Sequence, residues 1–245
     1  TPIAYLVTNF AAPQAGREAT MTHDEVTTLF HEFGHTLHHI LTAQTEPQVS
    51  GINGVEWDAV ELPSQFLENF AWEHEIVKSI SAHVETGEEL PDELFDKMIA
   101  AKNYEAGAFC VRQVEFALFD MLLHSAFDPK TDSVQALLES VRREVAVVFP
   151  PAWNRFPQSF SHIFAGGYGA GYYSYKWAEV LSADCFSAFE EEGVLNPETG
   201  RRYLKEILER GSSRDAIDNF VAFRGRKPEL DPLLRLSGII ESQKH

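Results

Sequence analysis

Five consecutive residues, His31 to His35, combine two histidines and a glutamate at a spacing that suits a metal ion. On a helix, residues four apart lie on one face, so His31 and His35 can both offer an imidazole nitrogen to the same ion. Glu32 follows the first histidine, and its carboxylate emerges beside the metal, where it can take a proton from an activated water. This HExxH pattern predicts a hydrolytic zinc site.

The residues around the motif predict the helix that must carry it. Thr22 and Glu25 have the spacing of a capping box, which marks a helix start. Apolar residues then recur at helical spacing from Val26 to Ile40. The motif is therefore expected on a long helix with one buried side.

A catalytic zinc ion usually has three protein ligands and one open position, so a third ligand must follow His35. The acidic candidates are Glu46, Glu56, Asp58, Glu61 and Glu68. Glu46 comes too early in the chain. Glu61 opens the next predicted helix, which can pack back on the motif helix and present a carboxylate. Chain geometry favours Glu61 only modestly over Asp58 and Glu68.

The segment from Phe156 to Tyr175 is rich in aromatic residues and glycine. Attack on a peptide carbonyl creates an oxyanion, and phenolic O–H and imidazole N–H groups are suitable donors to it. Gly166 and Gly167 permit backbone conformations with which the loop can approach a substrate. The alternative interpretation is packed aromatic core, which is the one we favour for Tyr173.

The rest of the chain predicts a mainly α fold, a multi-helical catalytic domain over residues 1–245 with at most a small sheet near the N-terminus. A strand is predicted over Ile3–Phe10. The further predicted helices cover residues 61–78, 91–108, 111–127, 133–148, 177–192, 201–210 and 213–223.

Composition and charge exclude several classes of partner. The formal net charge of -17 argues against nucleic acid and anionic membranes, since both attract basic surfaces. No stretch has the length of a membrane-spanning helix. Cys110 and Cys185 are isolated, which favours a reduced, cytoplasmic protein. The first residue is Thr1 rather than Met, which suggests a piece of a longer protein.

Three long runs in one order carry a family resemblance. They are HEFGHTLHH, GVEWDAVELPSQFLENFAWE and FSHIFAGGYGAGYYSYKWAEVLSADCF. The chain resembles the thimet oligopeptidase family of zinc peptidases, a zincin-like family, and most of all its bacterial oligopeptidase A branch. The resemblance implies one Zn²⁺ per chain on His31, His35 and Glu61, with Glu32 as the base.

The same resemblance implies roles for the aromatic segment. His162, Tyr168 and Tyr175 match the family's transition-state donors, and Tyr172 matches a tyrosine that contacts substrate beside Gly166 and Gly167. Spacing favours Tyr175 only weakly over Tyr168 as the main donor.

Asp58 and Glu68 lie one turn before and two turns after Glu61, so either can accept a hydrogen bond from a metal-bound imidazole. The alternative for each is an ordinary capping or surface acid.

The expected function is hydrolysis of internal bonds in short peptides by a metalloendopeptidase. Two alternatives stay open: a dipeptidyl carboxypeptidase of the same family, and an inactive zinc-binding fragment. The expected partners are short peptides and a missing N-terminal half of the same protein. Residues Ile3–Phe10 are expected to pair with the backbone of the substrate as an edge strand.

Overall fold

The computed structural model describes residues 1–13, 15, 16 and 19–240, and over these residues it contains helices and no strand. The mainly α prediction is therefore confirmed. The α-helices are α1 (His23–Ile40), α2 (Leu62–Glu68), α3 (His74–Ile80), α4 (Asp92–Lys102), α5 (Ala106–Ser125), α6 (Val134–Val145), α7 (Ser161–Phe164), α8 (Ser174–Glu192), α9 (Pro197–Tyr203), α10 (Ala216–Arg224) and α11 (Asp231–Leu236). Two 3₁₀ turns (Asn69–Trp72 and Phe156–Ser159) and one π-helical turn (Leu204–Leu208) complete the regular structure of this part of the chain.

Helix α1 begins where its sequence predicts. The Thr22 hydroxyl accepts a hydrogen bond from the Glu25 N–H at 3.2 Å, and the Glu25 carboxylate accepts one from the Thr22 N–H at 2.8 Å. Both bonds of the capping box are thus present, and they satisfy N–H groups that a helix start leaves unpaired. The helix places the metal motif in its middle, away from its fraying ends.

The strand predicted over Ile3–Phe10 is wrong. The segment has no regular structure, and Ile3, Tyr5 and Val7 expose 72%, 90% and 76% of their surface. A strand is stabilised by a neighbouring strand that pairs with its N–H and C=O groups. No described segment offers such a neighbour, so β-forming residues alone do not produce a strand here.

The helix predicted over residues 61–78 is broken into three pieces. Helix α2 ends at Glu68, a 3₁₀ turn follows, and α3 begins at His74. Glu73 between them has the extended backbone angles φ -83° and ψ 130°. Pro63 lies in the first turn of α2, where a missing N–H costs little, as expected. The break keeps α2 short, and α2 packs against α1 and α8.

Two clusters of buried apolar side chains hold the helices together. The first joins α2, α8, α9 and α10, and includes Phe66, Leu181, Phe186, Phe220 and Phe223. The second joins α5, α6 and the segment before α8, and includes Phe119, Leu138, Phe160, Ile163 and Tyr172. Helix α8 connects them, because its body belongs to the first cluster and Tyr175 in its first turn packs against the second.

In the described part of the chain, no helix combines the length and the apolar character needed to cross a membrane. Cys110 is partly buried and Cys185 fully buried, and neither forms a disulfide.

Candidate metal centre

Three side chains from α1 and the start of α2 converge on one point. Nε2 of His31 lies 3.3 Å and Nε2 of His35 lies 3.1 Å from the same carboxylate oxygen, Oε2 of Glu61. The ligand atoms of these three residues all lie within 4.8 Å of one another. Glu61 occupies the N-cap position of α2, and 3% of it is exposed. Two imidazole nitrogens and a carboxylate oxygen form the donor set of a His-His-Glu zinc site.

The electrostatics of this group favour a cation at its centre. Burial alone would lower the pKa of His31, but its hydrogen bonds to Glu61 and Glu68 outweigh burial and raise that pKa to about 10. Burial would raise the pKa of Glu61, yet its hydrogen bonds with His31 and His35 hold the pKa well below its usual value. The site therefore stabilises positive charge strongly, whether a proton or a metal ion supplies it.

Second contacts orient two of the three candidate ligands. Nδ1 of His31 lies 2.6 Å from Oε1 of Glu68, and the Ser64 hydroxyl donates to Oε2 of Glu61 at 2.9 Å. When Nδ1 carries the proton that Glu68 accepts, Nε2 of His31 is left with its lone pair directed towards Glu61. A lone pair facing a carboxylate needs a cation between them, so these residues fit a zinc ion.

Tyr168 belongs to the same group although it lies far along the chain. Its hydroxyl donates a hydrogen bond to Oε1 of Glu61. Burial, together with the neighbouring carboxylate of Glu61, raises the pKa of Tyr168 well above its usual value. The phenol thus stays protonated at any ordinary pH and retains an O–H to donate.

Tyr175 and His162 lie beside Tyr168. The rings of Tyr168 and Tyr175 are stacked, with 4.8 Å between their centroids. The His162 centroid lies 6.4 Å from that of Tyr168 and 6.0 Å from that of Tyr175, and His162 is exposed. Burial raises the pKa of Tyr175, and the carboxylates of Glu61 and Glu32 raise it further. Three side chains that can donate hydrogen bonds thus lie together, and one of them, Tyr168, reaches the candidate metal ligand Glu61.

The glycines of the loop before α8 allow close packing as well as unusual backbone angles. Gly167 has a positive φ of 85°, and a Cβ there would lie 3.4 Å from the Trp57 ring. A Cβ on Gly171 would lie 2.9 Å from Cδ1 of Trp57, closer than two carbon atoms can approach. A Cβ on Gly166 would lie 2.9 Å from the His162 carbonyl oxygen. The loop can therefore pack against Trp57 at residue 171, and against the His162 backbone at residue 166, only because both residues are glycine.

Two predicted site residues, Asp58 and Tyr172, form no hydrogen bond with a candidate metal ligand among the described residues, although the Tyr172 ring centroid lies 5.2 Å from that of Tyr175. Asp58 accepts a hydrogen bond from the Tyr173 hydroxyl at 3.1 Å, and within the described chain it bonds to no candidate metal ligand. Tyr173 is 42% exposed, so its assignment to the packed core is wrong. Tyr172 is 9% exposed, and its hydroxyl donates to the Gln113 side chain at 2.9 Å. Its ring packs in the second apolar cluster, and burial raises its pKa to about 12.

Several residues that support the candidate site by packing or hydrogen bonding were not predicted from the sequence. Trp57 packs against Tyr168 with 4.8 Å between ring centroids. The Gln65 amide donates to the Tyr175 carbonyl at 3.1 Å and so ties α2 to α8. Asp120 accepts hydrogen bonds from backbone N–H groups of the glycine-rich loop. Trp57 and Gln65 lie in the same conspicuous sequence run as Glu61, and this position could have indicated them. No sequence signal of this kind indicates Asp120.

Comparison with known proteins agrees with this geometry. The chain is 59% identical over 239 residues to oligopeptidase A of Escherichia coli, and the match covers 97% of the chain and 35% of that protein. It is 48% identical over 244 residues to the organellar oligopeptidase A of Arabidopsis thaliana, covering 98% of the chain and 31% of the relative. It is 36% identical over 242 residues to dipeptidyl carboxypeptidase of Salmonella typhimurium, and the match covers 97% of the chain and 35% of that relative. The chain thus spans about a third of the length of the curated relatives it matches.

Residues 1–239, nearly the whole chain, match peptidase family M3. The match includes the metal motif on α1, the third candidate ligand at the start of α2 and the aromatic loop before α8. The resemblance inferred from the three sequence runs is confirmed, and the chain belongs to peptidase family M3.

Proposed function

We propose that the protein is a zinc-dependent oligopeptidase, a metalloendopeptidase that hydrolyses internal bonds of short peptides. The observation that carries the proposal is the convergence of Nε2 of His31 and Nε2 of His35 on one oxygen of Glu61. The relatives with the higher identities cited above are named oligopeptidase A, which supports the same function.

Zinc held by His31, His35 and Glu61 would supply Lewis acidity, which lowers the pKa of water towards about 7 and polarises a peptide carbonyl. Glu32 follows His31 directly on α1, and its charge acts on Tyr175 across the site. Its carboxylate would accept the proton of the attacking water and pass it to the departing amine. Glu32 is therefore the general base and then the general acid.

The hydroxyls of Tyr168 and Tyr175 would stabilise the oxyanion, with His162 as a third donor. Tyr168 is the better candidate for the main donor, because its O–H already reaches Oε1 of Glu61, one of the proposed zinc ligands. Gly166 and Gly167 would let the substrate backbone approach these donors. Tyr172, whose hydroxyl is bonded to Gln113, would contact substrate only after that bond opens.

The whole protein is proposed to act through residues 1–245 as its catalytic domain, with a longer N-terminal part of the same protein as partner. The shares of 31–35% of the relatives' length support this. That N-terminal part would restrict the enzyme to short peptides. The unpaired Cys110 and Cys185 support a cytoplasmic location. An inactive zinc-binding fragment is the competing case, and equal hydrolysis by this chain and the intact protein would dismiss it.

A dipeptidyl carboxypeptidase is the second candidate, because one relative at 36% identity bears that name. The two activities differ in their need for a free C-terminal carboxylate. An endopeptidase cleaves a short peptide whose C-terminus is amidated, whereas an enzyme that removes C-terminal dipeptides is expected to need the free carboxylate. Product analysis on matched free and amidated peptides separates them, and cleavage of the free peptide alone would favour the carboxypeptidase.

The mechanism is tested with Glu32→Gln in the intact protein. The variant is expected to bind zinc as the parent does and to lose at least about 100-fold in kcat, since general base catalysis contributes about 10²–10⁴-fold. Asp24→Asn is the matched control, because Asp24 is an exposed acid in the first turn of the same helix. Hydrolysis that persists in Glu32→Gln with full zinc content would contradict the proposed mechanism.

A further inference from the structure

Asp120 is a buried carboxylate that the proposed mechanism does not use. It lies on α5 and exposes 1% of its surface. Its Oδ1 accepts a hydrogen bond from the Ala170 N–H and its Oδ2 one from the Tyr172 N–H, both at 2.9 Å. Nδ1 of His124, one helical turn further on, lies 2.8 Å from Oδ1. A buried carboxylate is tolerated only with such partners, so both oxygens are committed to holding other groups.

The two N–H groups belong to a turn that contains one residue in a strained backbone conformation. Ala170 has a positive φ of 58°, a conformation that residues with a Cβ rarely adopt. Its neighbours Gly169 and Gly171 restrict the backbone less than any other residue would. A strained residue persists only where its surroundings impose the conformation. Here the two bonds to Asp120 lie on either side of the Ala170 Cα and support this conformation, together with the bond that closes the turn from the Gly171 N–H to the Tyr168 carbonyl.

The same backbone carries the proposed oxyanion donors. Tyr168 precedes Ala170 by two residues and Tyr175 follows it by five, and the Gly171 N–H donates to the Tyr168 carbonyl at 2.9 Å. Fixing the backbone at residues 170 and 172 therefore fixes the direction from which the Tyr168 hydroxyl reaches Glu61. Catalytic donors lose effect when they are misplaced by even 1 Å.

We propose that Asp120 is a positioning residue, which anchors the 168–172 loop through the Ala170 and Tyr172 amides and so sets Tyr168 beside the metal ligands. This inference rests on the proposed function for its effect on catalysis. The anchoring itself is a property of the loop and can be measured without substrate.

The test compares Asp120→Asn with Glu115→Gln in the intact, zinc-loaded protein. Glu115 is an ideal control because it lies on the same helix, is equally buried at 1% exposure and bonds to Arg142 rather than to the loop. Asparagine offers one acceptor oxygen, so one of the two loop amides is left facing an NH₂ group. Hydrogen exchange of the Ala170 and Tyr172 amides, kcat and KM are measured for both variants.

In Asp120→Asn we expect at least about a ten-fold faster exchange of one or both amides, the effect of losing one hydrogen bond to a charged group. We expect kcat to fall by about ten-fold or more while KM and zinc content change little, because the donors act in the transition state. Glu115→Gln should change neither the exchange rates of the two amides nor kcat. The proposal would be overturned if the exchange rates of both amides are unchanged in Asp120→Asn. It would also be overturned if exchange is faster but kcat is unchanged.

A second measurement needs no variant that might fail to fold. In the unmodified protein the Ala170 and Tyr172 amides are expected to exchange at least about ten-fold more slowly than the Gly169 amide, which has no hydrogen-bond acceptor among the described residues. Equal rates would also overturn the proposal. If the Ala170 and Tyr172 amides exchange slowly but Glu32→Gln hydrolyses peptides as fast as the parent, the proposed function is refuted and the anchoring by Asp120 still holds.

Discussion

Glu68 and His31 form a 2.6 Å contact between Oε1 and Nδ1, across the interface of α2 and α1. The contact joins the helix that supplies two candidate ligands to the helix whose start supplies the third. It also fixes which nitrogen of His31 is free for a metal ion. Glu68 thus couples the packing of two helices to the chemistry of the site.

Glu68→Gln is expected to weaken zinc binding by about 10–100-fold, the usual effect of removing a carboxylate partner from a metal-bound histidine. The amide cannot supply the charge that supports the imidazole. Competition with a zinc chelator at fixed pH measures the change. Glu75→Gln is the control, because Glu75 is an exposed acid on the next helix, α3. Equal zinc affinity in both variants would show that Glu68 has no part in the site.

The candidate metal ligands could be predicted from sequence because their spacing is a local property. His31 and His35 are one helical turn apart, and Glu61 opens the helix that follows the motif. Chain order alone left Asp58 and Glu68 open as third ligands. Only the tertiary structure distinguishes the positions of these two acids. Glu68 contacts Nδ1 of His31, whereas Asp58 accepts a hydrogen bond from the Tyr173 hydroxyl.

The supporting contacts of the aromatic loop could not be predicted in this way. Asp120 lies 50 residues before Ala170, and nothing in the local sequence around either residue indicates the bond. The strand predicted over Ile3–Phe10 failed for a related reason. Strand formation depends on a partner segment, and local β propensity carries no information about that partner.

Tyr168→Phe is expected to lower kcat by about 10²–10³-fold, the range observed when one oxyanion donor is removed. The ring remains to stack on Tyr175, so only the hydroxyl is lost. Zinc content should stay that of the parent, because Glu61 keeps its bonds to the histidines and Ser64. Steady-state kinetics and metal analysis check both statements.

Tyr173→Phe is the matched control for this prediction. Tyr173 lies in the same segment, and its hydroxyl bonds to Asp58 on the exposed side of the loop. It should retain nearly full activity. A kcat for Tyr168→Phe equal to that of Tyr173→Phe would assign the oxyanion to Tyr175 or His162 instead.

His38 makes stability depend on pH. It is 3% exposed, and burial, aided by the nearby His35 and His39, lowers its pKa from 6.5 to about 4. As pH falls from 6.5 to 4, the unfolded chain takes up a proton that the folded chain resists. The free energy of unfolding therefore falls over this window, by roughly 3 kcal/mol for a shift of this size. Above pH 6.5 His38 contributes no pH dependence.

His38→Met isolates this contribution, since methionine fills irregular apolar sites and does not titrate. Denaturant unfolding at pH 7 and pH 4.5 gives the loss of stability for each protein, and the parent should lose more by about 2 kcal/mol. His83→Gln removes an exposed histidine and should lose as much as the parent. Equal losses in the parent and His38→Met would contradict a buried neutral His38.

Gly34→Ala tests whether the close approach of α1 and α2 holds the candidate metal ligands together. A Cβ on Gly34 would lie 2.5 Å from both the Pro63 carbonyl oxygen and the Ser64 Cα, which are backbone atoms that cannot turn aside. Helix α2 must move away, and Glu61 at its start moves with it. We expect a loss of about 1–3 kcal/mol in unfolding free energy from overpacking, together with weaker zinc binding.

Gly107→Ala is the matched control, and its expected effect on stability has the opposite sign. Gly107 also lies within a helix, but a Cβ there meets no atom within 4 Å. Alanine should leave zinc affinity unchanged and raise stability by up to about 1 kcal/mol, because glycine is the poorer helix former. If Gly34→Ala also raised stability and kept zinc affinity, the spacing of α1 and α2 would not control the site. The opposite signs expected for two glycine-to-alanine changes in helices separate the effect of the contact from that of helix propensity.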